Sequence, residues 1–422
     1  MSENKKLKIL VAPGAYVIND NRTESLGTMT YYILRELGKL GVQTTALTMK
    51  AEISDPIPNC RIIELLPSQK ITQLGLLRFM TKYYQVGKKL LKTQNFDVIH
   101  HMFPFGWEVG FNPLVLRGHT KNLPFVIGPL LAPHTTKVNL SDEKNITKSY
   151  GNKAKSISLK ERFGSSVFNS VVSVGKKKAF SMFQETLTRA DWVVSGDLHT
   201  QRSFSKYVDE GKHSVFRIGI DLDQYKPDVE TRGGVSQKEV SSKRVEILTV
   251  GYLVERKGIK YLIEGFAKIA KKYPDSYIKV VGDGPARSDL EKLAKDLGIG
   301  DRVEFLGSLK YYEVIPHYHS CDIFCLPALS ETWVVAQEAM ACGKPVILTD
   351  TGSHPEHVPD GKVGYLVPLQ DSQAVANALE KMLADPKKRQ EMGLAARRHI
   401  EENYDWSKIA GQYLELYKKL TK

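Results

Sequence analysis

The run Val245-Glu-Ile-Leu-Thr-Val250-Gly251-Tyr-Leu-Val-Glu-Arg256-Lys257-Gly258 leads directly into Ile259-Lys-Tyr-Leu-Ile-Glu-Gly-Phe-Ala-Lys-Ile. Four of its first six residues are apolar and most are β-branched, which predicts a buried strand over 245–250. From Ile259 the apolar residues return every three or four positions, which predicts a helix over 259–271. Strand, tight loop and helix together make the repeating unit of a parallel sheet. The pattern continues: strands are predicted at 277–281, 303–305, 323–326 and 345–348, with helices at 287–297 and from about Val334 to Ala341. This part of the chain is therefore α/β.

The same alternation precedes it. Lys8–Ala12 reads as a strand, followed by a loop with Pro13, Gly14, Asn19 and Gly27, a helix over 29–40 and a strand over 42–48. Further strands are predicted at 96–101, at 124–127 ending on Gly128-Pro129, at 191–195 and at 215–218, with a basic helix before residue 96. Residues 134–180 are rich in Lys and Ser and fit long helices or a flap. Lys226–Lys243, with Pro227, Gly233 and Gly234, reads as a linker. The expectation is two Rossmann-like parallel-sheet domains, 1–228 and 229–404, facing across a cleft. An amphipathic helix at 405–422 is expected to cross back to the first domain. Such a cleft is a common place for ligands.

At 422 residues, two domains are expected. No apolar run approaches the roughly 18 residues a membrane span needs, and the start reads as a strand and not as a secretory signal. Four scattered cysteines suit a reducing cytoplasm and a buried, apolar role. The charge is uneven. Residues 1–180 hold 26 Lys and Arg against 12 Asp and Glu, and the remainder holds 34 against 35. A basic first half suggests an anionic partner: nucleic acid, a phospholipid surface or a phosphorylated substrate.

Four segments carry candidate chemistry. Arg256 and Lys257, after Gly251, sit between a strand and a helix, where cations and free amides favour a diphosphate. A solvated turn would look the same. Gly282 and Gly284, in Val281-Gly-Asp-Gly-Pro285, would let a ligand approach the backbone, or simply make a tight turn. In Ser330-Glu331-Thr-Trp333-Val334-Val335-Ala-Gln-Glu338, the amides at the helix start can hold a phosphate and Glu338 can accept bonds from a sugar's vicinal hydroxyls. The bland readings are a helix cap for Glu331 and an exposed face for Glu338, although Ala-Met-Ala after Glu338 is an apolar surround. Asp350-Thr-Gly352-Ser-His354-Pro-Glu356 is a turn on the same sheet edge.

These segments, in this order, resemble the donor-binding lobe of the retaining glycosyltransferases of the GT4 family, which have the GT-B fold. The resemblance runs from about Ile247 to Tyr404. It rests on Arg256-Lys257-Gly258, Val281-Gly-Asp-Gly-Pro285, Phe305-Leu-Gly307, Glu338-Ala-Met-Ala-Cys-Gly-Lys-Pro-Val-Ile347 and Gly352-Ser-His-Pro-Glu356. Upstream, Arg217-Ile-Gly-Ile-Asp221-Leu-Asp223-Gln-Tyr-Lys-Pro227 and Ala190–Ser195 also fit. The first half matches at the Gly27 loop, at Asp97-Val-Ile-His100-His101 and at Gly128-Pro129.

The resemblance implies that Arg256 and Lys257 hold the donor diphosphate and act in catalysis. Gly251, Gly282, Gly284, Val334 and Val335 would line the donor site. Glu338 would hold the nucleotide ribose, Glu331 would contact the donor sugar and act in catalysis, and Gly27 would lie near the donor phosphates. His100 and His101 belong to the acceptor lobe, as acceptor-side candidates or as packing residues. The family spaces its two motif glutamates with seven residues between them, and here six lie between Glu331 and Glu338. Either the loop has lost a residue or Ser330 stands in the first glutamate's place. Asp221-x-Asp223 looks like the metal signature of a different glycosyltransferase fold but falls in a turn, so no metal and no cofactor is expected.

The implied activity is transfer of a sugar from a UDP- or GDP-sugar to an acceptor hydroxyl, lipid-linked or saccharide, in glycolipid or polysaccharide synthesis. The expected place is the cytoplasm, on the inner face of an anionic membrane. A sugar-nucleotide epimerase or a phosphorylase would share the fold, but no lysine-anchored cofactor segment supports the latter. A basic nucleic-acid-binding protein fits the charge, yet no nucleic-acid motif is present and no nucleic acid is expected. No Gly-x-Gly-x-x-Gly follows the first strand, which counts against a dinucleotide dehydrogenase.

Overall fold

The computed structural model describes residues 6–20, 25–68, 73–102, 110–120, 122–131, 165–227, 244–330 and 333–422. Among them the chain divides into two compact units. Unit 1 takes the residues up to Gly219 together with Trp406–Lys422, and unit 2 takes Ile220–Asp405.

Unit 1 is built on seven parallel strands: β1 (Lys8–Val11), β3 (Gln43–Thr48), β5 (Cys60–Glu64), β6 (Val98–His101), β7 (Phe125–Leu130), β8 (Trp192–Ser195) and β9 (His213–Val215). Their order is β5-β3-β1-β6-β7-β8-β9. Short strands β2 (Val17–Asn19) and β4 (Lys50–Glu52) pair separately. Side chains alternate across the sheet. Ile9 and Val11 face one apolar cluster, under helices Ser25–Lys39 and Trp406–Leu420. Leu10 and Ala12 face the other, which includes Phe79, Tyr83, Leu114 and Phe183 from helices Gln73–Thr93, Pro113–Leu116 and Ser165–Thr188.

Helix Trp406–Leu420 buries Trp406, Ile409, Ala410, Tyr413, Leu416 and Tyr417, a stripe at helical spacing. Trp406 stacks on Tyr32 with centroids 5.9 Å apart. Gly219 lies against its indole ring, where any Cβ would overlap it.

Unit 2 has six parallel strands: β10 (Val245–Val250), β11 (Ser276–Val281), β12 (Val303–Gly307), β13 (Ile323–Leu326), β14 (Val346–Thr349) and β15 (Gly364–Val367), in the order β12-β11-β10-β13-β14-β15. One apolar cluster runs through it.

Three expectations change. The strand expected to stop before Gly128-Pro129 runs on to Leu130. Its pairing with β8 slips between Ile127 and Leu130, so the proline sits in an irregularity of the ladder, where its missing N–H does no harm. The strand expected at 215–218 lies at His213–Val215 instead. Of residues 134–180, helix Ser165–Thr188 accounts for the last part, while 132–164 and most of the expected linker, 228–243, lie outside the described residues. No helix among the described residues is long and apolar enough to cross a membrane.

Candidate functional site

In unit 2 the chain moves from β10 through β11 to β12 on one side, then returns to start β13 beside β10 and moves the other way. The loops leaving β10 and β13 therefore diverge, and a crevice opens at the carboxyl edge between them, the usual ligand position in such sheets. Those loops are Gly251–Gly258 and the segment from Pro327. They are fastened to each other: the Leu329 N–H donates to the Arg256 carbonyl at 2.8 Å.

Two glycines are demanded by this packing. Gly258 has φ +65° and closes the Glu255–Lys257 turn, and a Cβ there would run into the Pro327 carbonyl. Gly282 has φ +137° and lies on the Gly251 carbonyl, leaving no room for a side chain. The Leu253 N–H donates to the Asp283 carbonyl at 2.9 Å, and the Gly284 N–H donates to Asp283 Oδ1 at 2.7 Å. Gly251, Gly282 and Gly284 thus form one backbone floor.

Lys257 lies half-buried along Gly251, and its Nζ makes no ion pair or hydrogen bond with the described residues. Burial, and then the neighbouring Arg256 charge, push its amine down to about 8. Arg256 is exposed beside it. A dehydrated cation without a counter-charge is costly unless an anion arrives.

Glu338 projects from helix Trp333–Ala341 and is half-exposed. Tyr225 Oη donates to its Oε1 and Tyr318 Oη to its Oε2, each at 2.8 Å. Both phenols are buried. For Tyr318, burial and the Glu338 charge push the pKa up, so it stays a donor. Arg397 Nη1 ties down the other ends, donating to the carbonyls of Tyr225 at 2.8 Å and of Ala341 at 2.7 Å. Sequence reasoning did not find Tyr225, Tyr318 or Arg397, because they reach Glu338 from three separate segments. A tyrosine inside the Asp221–Pro227 turn was the one available hint.

Val334 is exposed and Val335 half-buried at the start of the Glu338 helix. Trp333 anchors that start by stacking on His357 at 4.2 Å, and His357 Nδ1 meets Tyr404 Oη at 2.6 Å. Ser330 is buried and its Oγ has no partner among the described residues. Glu331 lies outside the described residues. Asp221-x-Asp223 is a turn, in which Asp221 Oδ1 accepts from the N–H groups of Asp223 and Gln224 and Asp223 pairs with Lys226 at 2.7 Å.

Gly27, His100 and His101 belong to unit 1. Gly27 is buried near the start of helix Ser25–Lys39. His100 is fully buried, with Nδ1 on Tyr417 Oη at 2.6 Å and Nε2 on the Gly128 carbonyl at 2.8 Å, so neither ring nitrogen is left for a ligand. His101 points to the opposite sheet face, also buried, with Nδ1 unpartnered. Burial pushes both imidazoles down to about 3.

Residues 235–399 match the family model for glycosyl transferases group 1. The chain is 31% identical over 206 residues to the GDP-mannose-dependent alpha-(1-6)-phosphatidylinositol monomannoside mannosyltransferase of Mycolicibacterium smegmatis, covering 47% of this chain and 54% of that one. It is 35% identical over 230 residues to the D-inositol 3-phosphate glycosyltransferase of Corynebacterium urealyticum, covering 50% and 54%. The chain thus spans about half the length of the curated relatives it matches. Among solved structures, sucrose-phosphate synthase from Thermosynechococcus elongatus superposes with a TM-score of 0.67 at 23% identity, over 98% of this chain and 99% of that one. WaaG, a glycosyltransferase involved in lipopolysaccharide biosynthesis, superposes with a TM-score of 0.60 at 16% identity, over 97% and 99%. These likenesses speak to the fold.

Proposed function

We propose that this chain, whose residues 235–399 match the glycosyl transferases group 1 and whose two parallel sheets have the GT-B fold, moves a sugar from a nucleotide-diphosphate donor to an acceptor hydroxyl with retention of configuration. The observation that carries this reading is Lys257, an unpartnered, half-buried cation at the crevice where the strand order reverses. Arg256 and Lys257 hold the diphosphate and stabilise the charge it gains on leaving. Glu338, aimed by its two tyrosines, accepts from the ribose hydroxyls. The backbone floor of Gly251, Gly282 and Gly284 and the amides at Val334 and Val335 complete the donor site. The sugar contact falls to Glu331 or Ser330.

In the transfer itself, the acceptor oxygen bonds to the anomeric carbon as the bond from that carbon to the diphosphate oxygen breaks. The acceptor's proton passes to the departing phosphate. No protein carboxylate is needed as base, and the work left to the chain is to place the donor and neutralise the leaving group.

For the acceptor we propose a phosphate-bearing polyol or its phospholipid-anchored form, met at a cytoplasmic membrane face. Two observations support it: the relatives are described as acting on inositol phosphate and on phosphatidylinositol monomannoside, and the cationic excess lies in residues 1–180. The test measures free nucleotide released from UDP-, GDP- and ADP-sugars, with inositol phosphate and mannosylated phosphatidylinositol as acceptors. One donor should release nucleotide in an acceptor-dependent way, and Lys257→Ala should slow the release by roughly 30- to 1000-fold. No release from any donor with any acceptor overturns the reading.

A further inference from the structure

Helix Gln73–Thr93 presents Tyr84, Lys88 and Lys92 four residues apart, on one face. Gly87 of this helix lies directly on Leu114, with no room for a side chain, so the helix sits tight against Pro113–Leu116. That approach brings a second segment, Arg117–His119, onto the same face. Tyr84 Oη meets His119 Nε2 at 2.9 Å, and the rings lie 5.6 Å apart. The Arg117 guanidinium sits over the Tyr84 ring at 5.2 Å and Lys88 Nζ at 6.0 Å. None of Lys88, Lys92 and Arg117 forms an ion pair among the described residues. The acid on the adjoining helix, Glu185, is held by Arg189 at 2.5 Å, and Arg189 also caps the Val115 and Leu116 carbonyls.

Lysines in the last turns of a helix complement its dipole, which accounts for Lys88 and Lys92. It does not account for Arg117, which arrives from another segment to share the Tyr84 ring with Lys88. Three cations drawn together without a counter-charge repel one another, and a multivalent anion relieves that repulsion. The place is also informative. Thr93 and the turn after His119 lead into the starts of β6 and β7, so the cluster lies at the amino edge of the unit 1 sheet. Ligands of such sheets bind at the carboxyl edge.

We propose that Lys88, Lys92 and Arg117, over a floor of Tyr84 and His119, form a binding site for a phosphate group, separate from the donor site. The phosphate would come from an anionic lipid headgroup or from a soluble phosphate ester. Burial, followed by the charges of Lys88, Lys92 and Arg117, holds His119 below its usual range. Tyr84 is its hydrogen-bonding neighbour, and no carboxylate among the described residues acts on it. Phosphate binding cancels the three charges, so His119 should gain a proton when the site fills, and protonation and phosphate binding should favour each other.

The experiment follows the ring C–H signals of His119 by NMR in the full chain at low salt, assigned with His119→Gln. Titrations across pH 5–8 are run with inorganic phosphate, with phosphatidylglycerol vesicles and with phosphatidylcholine vesicles. Saturable phosphate binding that moves half-protonation of His119 upward, by about one pH step for a tenfold linkage, supports a soluble phosphate ester. A shift with phosphatidylglycerol vesicles but not with inorganic phosphate supports a lipid headgroup. Either shift should vanish in the triple variant Lys88→Gln, Lys92→Gln, Arg117→Gln. No shift with either probe overturns the proposal, as does a shift that persists in the triple variant. No outcome depends on glycosyl transfer, so failure here leaves the donor-site reading intact.

Discussion

Lys257 and Glu338 are the two side chains whose surroundings say most about the donor site. Lys257 loses its proton near pH 8 instead of near 10.5, since burial and Arg256 disfavour its charge. A bound diphosphate would restore that charge. Nucleotide affinity should therefore weaken as pH rises through about 8, and Lys257→Arg, which stays charged, should flatten the profile. Calorimetry with the preferred nucleotide between pH 7 and 9.5 checks this, and a flat wild-type profile would remove Lys257 from the site. Lys257→Ala should raise the barrier to transfer by about 2–4 kcal/mol. Glu338 is held on both oxygens by phenols. Tyr225→Phe and Tyr318→Phe should each cost about 1.5–3 kcal/mol of stability, the range for a bond to a charged group. If the phenols also aim the carboxylate, both variants should raise the donor KM more than they lower kcat. Unchanged donor KM in both, with Glu338→Gln impaired, would reduce them to packing.

Among the elements, helix Trp406–Leu420 shows how little of a domain need be contiguous. Its apolar stripe completes one face of the unit 1 sheet, although β9 ended nearly two hundred residues earlier in the chain. Trp406→Ala would open a hole beside Tyr32 and Gly219 and should cost about 3–5 kcal/mol in a urea melt of the unit 1 transition. A loss below 1 kcal/mol would mean the helix merely rests there. The Glu255–Lys257 turn makes the complementary point. Its shape depends on Gly258 at φ +65° against Pro327, so Gly258→Ala strains the backbone and displaces both cations together.

Across the molecule, neutral buried histidines set the acid limit. His100 and His101 are pushed down to about 3, and His213, paired with Ser195 Oγ at 2.8 Å, down to about 4. Their ordinary value is 6.5. The unfolded chain takes up protons below that value and the folded chain does not. Stability should therefore be full above about pH 6.5 and fall with acid toward pH 3–4, by about 1.4 kcal/mol per pH unit for each histidine. Their ring signals should not titrate above pH 5 in the folded protein, and a half-point near 6.5 for His100 would contradict its burial under Tyr417.

Local patterns sufficed for much of this. Strands β10 to β14 and the helices between them follow from apolar period and from glycine placement, because each is stabilised mainly by residues close to it in sequence. The order of cation pair, glycine turns and Glu338 was legible for the same reason: each segment ends a strand, and parallel strands bring all their ends to one edge. Tertiary structure alone decided what those residues meet. Glu338 finds Tyr225 from 113 residues away and Tyr318 from 20, His100 spends both nitrogens on Tyr417 and Gly128, and Lys88 finds Arg117. A periodic pattern records which face of an element is apolar. It does not record which distant face will cover it, and burial and charge pairing, hence basicity and availability for a ligand, are set by that cover.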